Sequence, residues 1–420
     1  MSSKENQHLA DTYQSKTAIE HILDAPDTYV GSIDEDEIHN WNFKTGEEKV
    51  DYFNFRWVPA LYKLFDEGIV NAKDHVTRMA QLIKKRSSDA GGNSIGVDGE
   101  MSAVTAIDVT VDAETGIITI MNNGNGIDVV KHPEKGLWIP EMIFGHLRTS
   151  TNYKKTEKKI VGGKNGFGFK LVLIYSKWGK IETLDHTRGK KYVQEFRDNL
   201  SVIGKPKITT SKKGKPYTKV SFLPDYDRLG LEGLSEEMVN LFKRRTFDIS
   251  AVTGKSVRVR FNGKAVSVKN FEQYVSLHLG GPRTTKRIYE APHERWEYAV
   301  ALSPFDEYRQ VSLVNGVYTS KGGKHVEYIT NQIVRGVSQY IEKKKKVKVK
   351  ASTIKEQLIV FVNSIIENPS FDSQVKDFMT TPVSKFGSKC EVSKKFVEAV
   401  AKMGVMDTAI SLTNVKDQKV

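Results

Sequence analysis

From Pro59 to about Lys85 the apolar residues Leu61, Leu64, Phe65, Ile69, Ala72, Val76, Met79, Leu82 and Ile83 recur at intervals of three and four. That spacing predicts one long amphipathic helix, with Pro59 well suited to its first position because a helix start needs no N–H there. A stripe of that length must be covered, so the rest of the chain has to supply a surface for it. Two short apolar runs follow, Val104 to Val111 and Gly116 to Met121, separated by the turn-rich Asp112-Ala113-Glu114-Thr115, and they read as a hairpin of a mixed sheet. Between helix and hairpin, Ser87 to Glu100 is rich in Gly and Ser and has no periodicity. It reads as a surface insertion, bounded at 87–103.

Further strands are expected at Tyr217 to Leu223, at Val257 to Phe261 running into an Asn262-Gly263 turn, at Trp296 to Ser303 and at Val311 to Val314. Helical stretches are expected near His325 to Glu342 and Ile354 to Glu367. The pattern restarts around Asn270, which places a domain boundary at about 265. A chain of 420 residues with 39% hydrophobic content is long enough for two or three domains, each with its own core.

Composition narrows the classes of partner. Lys and Arg number 64 against 51 Asp and Glu, a net charge of +13 that favours polyanions. The single cysteine, Cys390, excludes an internal disulfide and a cysteine-cluster metal site, and suits a reducing compartment. No apolar run approaches the roughly 18 residues needed to cross a bilayer, and the first 20 residues are too polar for a secretory signal. The expectation is a soluble, intracellular protein with no membrane partner.

Several short segments carry chemistry. On the long helix Glu67 and Asn71 lie four apart, so both project from one face, expected to lie opposite the core stripe of Leu64 and Phe65. A carboxylate can take a proton from water while a neutral amide oxygen binds a hard cation; the same pair also fits an ordinary solvated face. The strand ending at Met121 runs into Asn122-Asn123-Gly124-Asn125-Gly126-Ile127, where Asn122 offers the donor and acceptor that an adenine edge requires. His146 to Asn152 lines up Thr149, Ser150, Thr151 and Asn152, short groups suited to phosphate or ribose.

Ile160 to Leu171 reads IVGGKNGFGFKL. Its glycines let backbone N–H groups approach an anion, and Lys170 supplies a point charge, although a glycine-rich hairpin turn would read similarly. It is not a P-loop of the GxxxxGK[ST] type, because Lys170 follows a Phe and no Ser or Thr comes next. Gly254-Lys255-Ser256 fails as well, since Ile249 stands where the first Gly is needed; it reads as a polar loop.

The order DEGIVNA (66–72), NNGNGI (122–127), TSTNY (149–153) and GGKNGFGFKL (162–171) resembles the nucleotide-binding motifs of the GHKL ATPases. More narrowly, HILDAPDTYVGS (21–32), IPEMIFGHL (139–147), KKIVGGKNGFGFKL and IIENPSFDSQVK (365–376) are similar to the ATPase region of eukaryotic-type type IIA DNA topoisomerases. The resemblance covers nearly the whole chain. It implies an α+β protein of two domains. A GHKL (Bergerat) α/β sandwich at 1–265 includes an N-terminal strap at 1–35. A transducer domain with a left-handed βαβ, ribosomal-protein-like fold follows at 266–405, then a tail at 406–420.

The resemblance also assigns roles. Glu67 matches the general base, Asn71 the Mg²⁺ ligand and Asn122 the adenine contact. Ser150, Thr151 and Asn152 match the ribose and phosphate contacts, and Gly163, Lys164, Asn165, Gly166, Phe167 and Gly168 with Lys170 match the loop that closes over ATP. Gln374 and Lys376 match the second domain's reach to the γ-phosphate. Departures are His75, where a second Asn is common, Val375 for Thr, Phe167 for Tyr, and Phe169 for Ala. His75 reads as a solvated helix residue or as a pH-sensitive neighbour of the phosphates, and Phe169 needs a pocket.

Six lysines, Lys343, Lys344, Lys345, Lys346, Lys348 and Lys350, follow Glu342 at the end of a predicted helix. They suit a solvated cap, a localisation-like signal, or the family's lysine-rich loop facing duplex DNA without base specificity. Tyr29 falls in the strap that closes on a partner protomer when ATP is bound, or in a locally packed strand entry. The implied protein is an ATP-operated DNA gate, a homodimer in the nucleus, a viral factory or a virion. Ending at Val420, this stretch is expected to hydrolyse ATP but not to cleave DNA. A chaperone-like or mismatch-repair GHKL module is the alternative.

Overall fold

The computed structural model describes residues 16–88, 101–147, 159–162 and 168–417. Two short helices come first, α1 (Ala18–Asp24) and α2 (Pro26–Tyr29). Thr17 and Glu20 close a reciprocal capping box at the start of α1, satisfying two backbone donors that a helix end leaves free. A hairpin of β1 (Asp36–Phe43) and β2 (Val50–Trp57) leads into the long helix α3 (Pro59–Ser88). The periodic stripe thus forms one helix, running three residues past the expected end.

A nine-stranded sheet supplies the surface that this stripe requires. Its strands are β3 (Ala106–Val111), β4 (Ile118–Asn123), β5 (Ser176–Asp185), β6 (Lys190–Arg197), β7 (Val202–Ile203), β8 (Lys207–Thr210), β9 (Tyr217–Pro224), β10 (Arg258–Phe261) and β11 (Lys264–Ala265). They lie in the order β11-β10-β3-β4-β9-β5-β6-β7, with β8 paired to β6. Helix α4 (Ile139–Gly145), helix α5 (Gly168–Ile174) and helix α6 (Glu236–Thr253) complete the layer in which α3 packs. Gly68 allows α3 to ride close on the sheet, because a Cβ there would come within 2.6 Å of Ile120 Cδ1. The expected Asn262-Gly263 turn joins β10 to β11, both residues at positive φ (47° and 78°) as a tight two-residue turn requires.

The large sheet ends at Ala265, and after α7 (Phe271–Leu279) a five-stranded sheet begins at Arg287. Its order is β12-β13-β17-β14-β15, from β12 (Arg287–His293), β13 (Trp296–Leu302), β14 (Arg309–Val314), β15 (Val317–Tyr318) and β17 (Leu358–Ser364). A small parallel pair, β16 (Gly322–Gly323) with β18 (Phe378–Met379), flanks it. Helices α8 (Lys324–Lys345), α9 (Ala351–Lys355), α10 (Lys394–Val400) and α11 (Met406–Asp417) surround this sheet.

The helix expected over Ile354 to Glu367 is a correction. Only Ala351–Lys355 is helical, and Leu358–Ser364 is the central strand β17, antiparallel to β13 and parallel to β14. Leu358, Ile359, Val360, Phe361 and Val362 are all fully buried, because both faces of a central strand are covered. A continuous apolar run carries no period, so helix and buried strand read alike, and its β-branched content marks it as strand. A smaller difference lies at β4, which continues through Asn122 and Asn123 instead of ending at Met121. Among the described residues no helix is long and apolar enough to cross a membrane.

Candidate active site

Between Ala60 and Asp74 helix α3 is buried on nearly every side, so its charged residues in that stretch are paired within the protein. Glu67 is 4% exposed, which corrects the expectation of a solvated face opposite the core; Asn71, one turn later, is exposed. Glu67 Oε1 forms ion pairs with Lys63 Nζ at 2.7 Å and with Lys376 Nζ at 3.3 Å. Burial opposes ionisation of this carboxyl, but the two lysines, Lys376 first, outweigh it and hold it down at about 2. Its other oxygen lies against Gly168 at the start of α5, where an added Cβ would sit 1.9 Å from Oε2.

The surroundings extend this centre into a buried charge network. Asp66 pairs with Arg245 of α6 at 2.7 Å, and Arg244 pairs with Asp248 at 3.4 Å. Lys63, Arg244 and Arg245 therefore balance Asp66, Glu67 and Asp248. Among the described residues of this network Lys376, arriving from the loop between β17 and β18, is the surplus cation. It is 6% exposed, holds a positive φ of 64°, and also donates to the Gly162 carbonyl at 3.4 Å. A buried cation in excess of its counter-ions favours an anion brought from outside.

The same face of α3 is clamped to the second sheet. Arg245 Nη2 donates to the Gly316 carbonyl at 2.6 Å, and Lys73 Nζ to the Asn315 carbonyl at 3.2 Å. Asn315 in turn donates to the carbonyls of Ile366 and Val161 and accepts from Ile366 N–H. Gly162 N–H donates to Asp74 Oδ1 at 2.9 Å, which ties the entry of the glycine loop to α3. Burial pushes the Lys73 ammonium below its ordinary value.

The other expected residues fall into distinct groups. Asn122 is buried at the end of β4, its amide donating to the Asn123 carbonyl at 2.9 Å, while Asn123 and Asn125 cap backbone N–H groups of 102–106. Gly126 lies so close to β5 that a Cβ would meet the Leu184 carbonyl oxygen at 2.0 Å. Lys170 is buried in the first turn of α5, and burial lowers it to about 8. Gln374 is half-buried next to Val375, which packs against Gly31. Ser150, Thr151, Asn152, Gly163, Lys164, Asn165, Gly166 and Phe167 lie outside the described residues.

Phe169 has its pocket. It is buried edge-on against Phe144 and Phe222, with ring centroids 5.3 and 6.3 Å away. His75 is not solvated, which corrects that expectation: it is half-buried, with Nε2 2.8 Å from the Asn125 carbonyl oxygen. Burial, helped by Arg78, lowers it to about 4, so it is neutral at physiological pH. Tyr29 packs on its own chain, its hydroxyl 3.1 Å from His21 Nδ1. Lys343, Lys344, Lys345, Lys346, Lys348 and Lys350 are all exposed at the end of α8 and in the link to α9. Among the described residues no cluster of three or more His, Cys, Asp or Glu could hold a metal.

Lys63, Asp66, Arg245 and Asn315 were missed from sequence. Lys63 carried a usable signal, since it stands four residues before Glu67 and so shares its face. Arg245 and Asn315 gave none, being far away in the chain.

The two sheets are joined through a charged centre on one helix into a unit of two parts. A family model described as DNA gyrase B matches residues 268–419. DNA topoisomerase 2 of Acanthamoeba polyphaga mimivirus is 42% identical over 99% of the chain, which covers 32% of that protein. The crystal structure of the ATPase region of Saccharomyces cerevisiae topoisomerase II is 38% identical, with a TM-score of 0.85, covering 97% of this chain and 100% of that one. The ATPase and transducer domains of DNA topoisomerase II from Balamuthia mandrillaris give 35% and 0.86, over 97% and 99%. The chain belongs to the DNA topoisomerase 2 family, in the part that those two structures represent. It spans about a third or less of the length of the curated relatives it matches.

Proposed function

We propose that this chain is the ATP-binding and hydrolysing gate of a type IIA DNA topoisomerase. The observation that carries the reading is the convergence at Glu67 of a buried carboxylate, a glycine that leaves no room for a side chain, and a surplus cation from the second domain. On this reading Glu67 is the general base for the attacking water, and Lys376 with Gln374 reports on the γ-phosphate from the second domain. Asn71, exposed and neutral, would hold Mg²⁺, which supplies charge neutralisation at the phosphates. Asn122 contacts adenine, Ser150, Thr151 and Asn152 contact ribose and phosphate, and Gly163 to Gly168 with Lys164, Asn165, Phe167 and Lys170 close over the triphosphate. The domain division at 265 supports this division of labour, with the nucleotide on the first unit and the sensor on the second.

The exposed lysines Lys343 to Lys346, Lys348 and Lys350 are the proposed contact to duplex DNA, and Tyr29 lies in the strap that meets the partner in a homodimer. ATP then favours the dimer by adding contacts made only in the closed state. A chaperone-like or mismatch-repair module is not favoured, because relatives aligned along the whole chain are DNA topoisomerases. General-base catalysis contributes about 10² to 10⁴-fold, so Glu67→Ala should bind a nucleotide analogue yet lose hydrolysis by that factor. Hydrolysis by this variant within a few-fold of wild type removes Glu67 from the role. Replacing Lys343 to Lys346 with Ala should flatten the salt dependence of DNA binding and of DNA-stimulated hydrolysis.

A further inference from the structure

We propose that the outer face of the nine-stranded sheet, from β9 across to β8, is a second contact for the phosphate backbone of duplex DNA, separate from the lysines that follow α8. It shares with the proposed function only its partner. The distribution of charge points there first. From Asn199 to Leu223 there are six lysines and no acidic residue, and the same holds of 343–350. These two segments carry twelve of the chain's net +13, so the remaining residues are close to neutral. Attraction for a polyanion is therefore concentrated in two places.

Strand register shows how the first of them is displayed. Lys219 of β9 lies opposite Glu182 of β5, Glu182 opposite Val193 of β6, and Val193 opposite Lys207 of β8. Residues directly opposite one another share a face, so these four form one row across four strands. Their neighbours Ile181, Tyr192 and Val220 belong to the other face and are buried. Leu184, two residues beyond Glu182, is on the outer face, and the loop between β8 and β9 folds over it: a Cβ at Gly214 would meet Leu184 Cδ1 at 2.4 Å. That loop brings the exposed Lys212, Lys213 and Lys215 to the rim of the row.

The cations of this face are not equally committed. Lys180 pairs with Glu182 at 3.0 Å, and Lys191 approaches it at 3.9 Å. Lys205, Lys207, Lys212, Lys213 and Lys215 are exposed and, among the described residues, form no ion pair. Adjacent strands lie about 4.8 Å apart, so Lys219 and Lys207 stand about 14 Å apart across the sheet. The phosphate walls of a duplex major groove are about 12 Å apart, so each end of the row can meet one wall, whereas a single strand offers only one. Such a contact neutralises phosphates and reads no base sequence.

The test measures binding of a short DNA duplex by fluorescence anisotropy over a salt series. A sheet variant carries Lys207→Gln, Lys212→Gln, Lys213→Gln and Lys215→Gln. It is made in wild type and in protein with Lys343 to Lys346 replaced by Ala, so the outcome for those four lysines does not decide it. A charge-matched control carries Lys255→Gln, Lys269→Gln, Lys385→Gln and Lys389→Gln, all at exposed positions elsewhere. Each phosphate contact contributes roughly 0.9 to the slope of log K against log salt, so the sheet variant should flatten that slope by about 2 to 4 in both backgrounds. The control should leave the slope as it is, and ATP hydrolysis without DNA should stay within about twofold of wild type in every sheet variant. An unchanged slope in the sheet variant overturns the proposal. So does equal flattening in the control, which would reduce the effect to net charge. An equal loss on a single strand with the same number of phosphates overturns the duplex as the partner.

Discussion

Gly168→Ala places one methyl group where the structure has least room for it. The new Cβ would lie 1.9 Å from Glu67 Oε2 and 2.8 Å from its Cδ. Ordinary C···O contact begins at about 3.3 Å, so the carboxylate must retreat by roughly 1.4 Å. It has little freedom to do so, since Lys63 and Lys376 hold Oε1 from the other side and Gly68 is pressed on Ile120 beneath the helix. A displacement of about 1 Å at a catalytic group costs on the order of 10²-fold in rate, or about 2.7 kcal/mol. Steady-state ATPase should show that loss in kcat, with affinity for a non-hydrolysable analogue changed far less.

The cause can be isolated by a double-mutant cycle in thermal stability. In wild type Gly168→Ala should destabilise by about 1 to 3 kcal/mol through overpacking. In a Glu67→Ala background the obstruction is gone, and Ala at a helical position should be neutral or stabilising by up to about 1 kcal/mol. Equal destabilisation in both backgrounds, or a kcat within threefold of wild type, refutes the contact as the cause.

Phe169→Ala should cost about 3 kcal/mol in chemical denaturation, because it empties a pocket walled by Phe144 and Phe222, while Phe169→Leu should cost clearly less. Stability should also fall on mild acidification. Burial lowers His75 to about 4 and both His278 and His325 to about 3, against about 6.5 in the unfolded chain. Below about pH 6.5 the unfolded state binds more protons than the folded one, so the contribution of these residues is complete above that pH and declines toward pH 4. With three such groups the slope approaches roughly 4 kcal/mol per pH unit. Melting curves that stay flat between pH 6.5 and 5 would contradict this, and His325→Gln should shallow the slope.

What the sequence disclosed follows from how local each signal is. The long helix was legible because its stripe repeats on one face from Leu61 to Ile83, and the Asn262-Gly263 turn because only certain residues tolerate those φ values. Strand β17 was misread because Leu358 to Val362 are buried on both faces and so show no period. At the site, Glu67 could be nominated from its spacing to Asn71, but Lys376 only by resemblance, since it lies 309 positions from Glu67 and nothing local links the two. Burial of Glu67 was misjudged for a related reason. Periodicity marks the face of α3 that meets the sheet, but the opposite face is covered by α5, α6 and the second domain, whose approach leaves no pattern in residues 59–88.

That second layer of cover explains why the site lies at a seam between domains and not within one. A carboxylate as buried as Glu67 stays ionised only with cations close by, and a cation supplied wholly by its own helix would have no reason to leave. The contacts across the seam divide accordingly. Arg245 to the Gly316 carbonyl, Lys73 to the Asn315 carbonyl, and Asn315 to the Val161 and Ile366 carbonyls are bonds to uncharged backbone groups. They fix the second domain against α3 whatever the charge state of the pocket. Lys376 instead divides its donors between Glu67 Oε1 and the Gly162 carbonyl, at 3.3 and 3.4 Å, both long for charged hydrogen bonds. The backbone contacts therefore hold the second sheet against α3, while Lys376 makes the contact across the seam that is ionic and long.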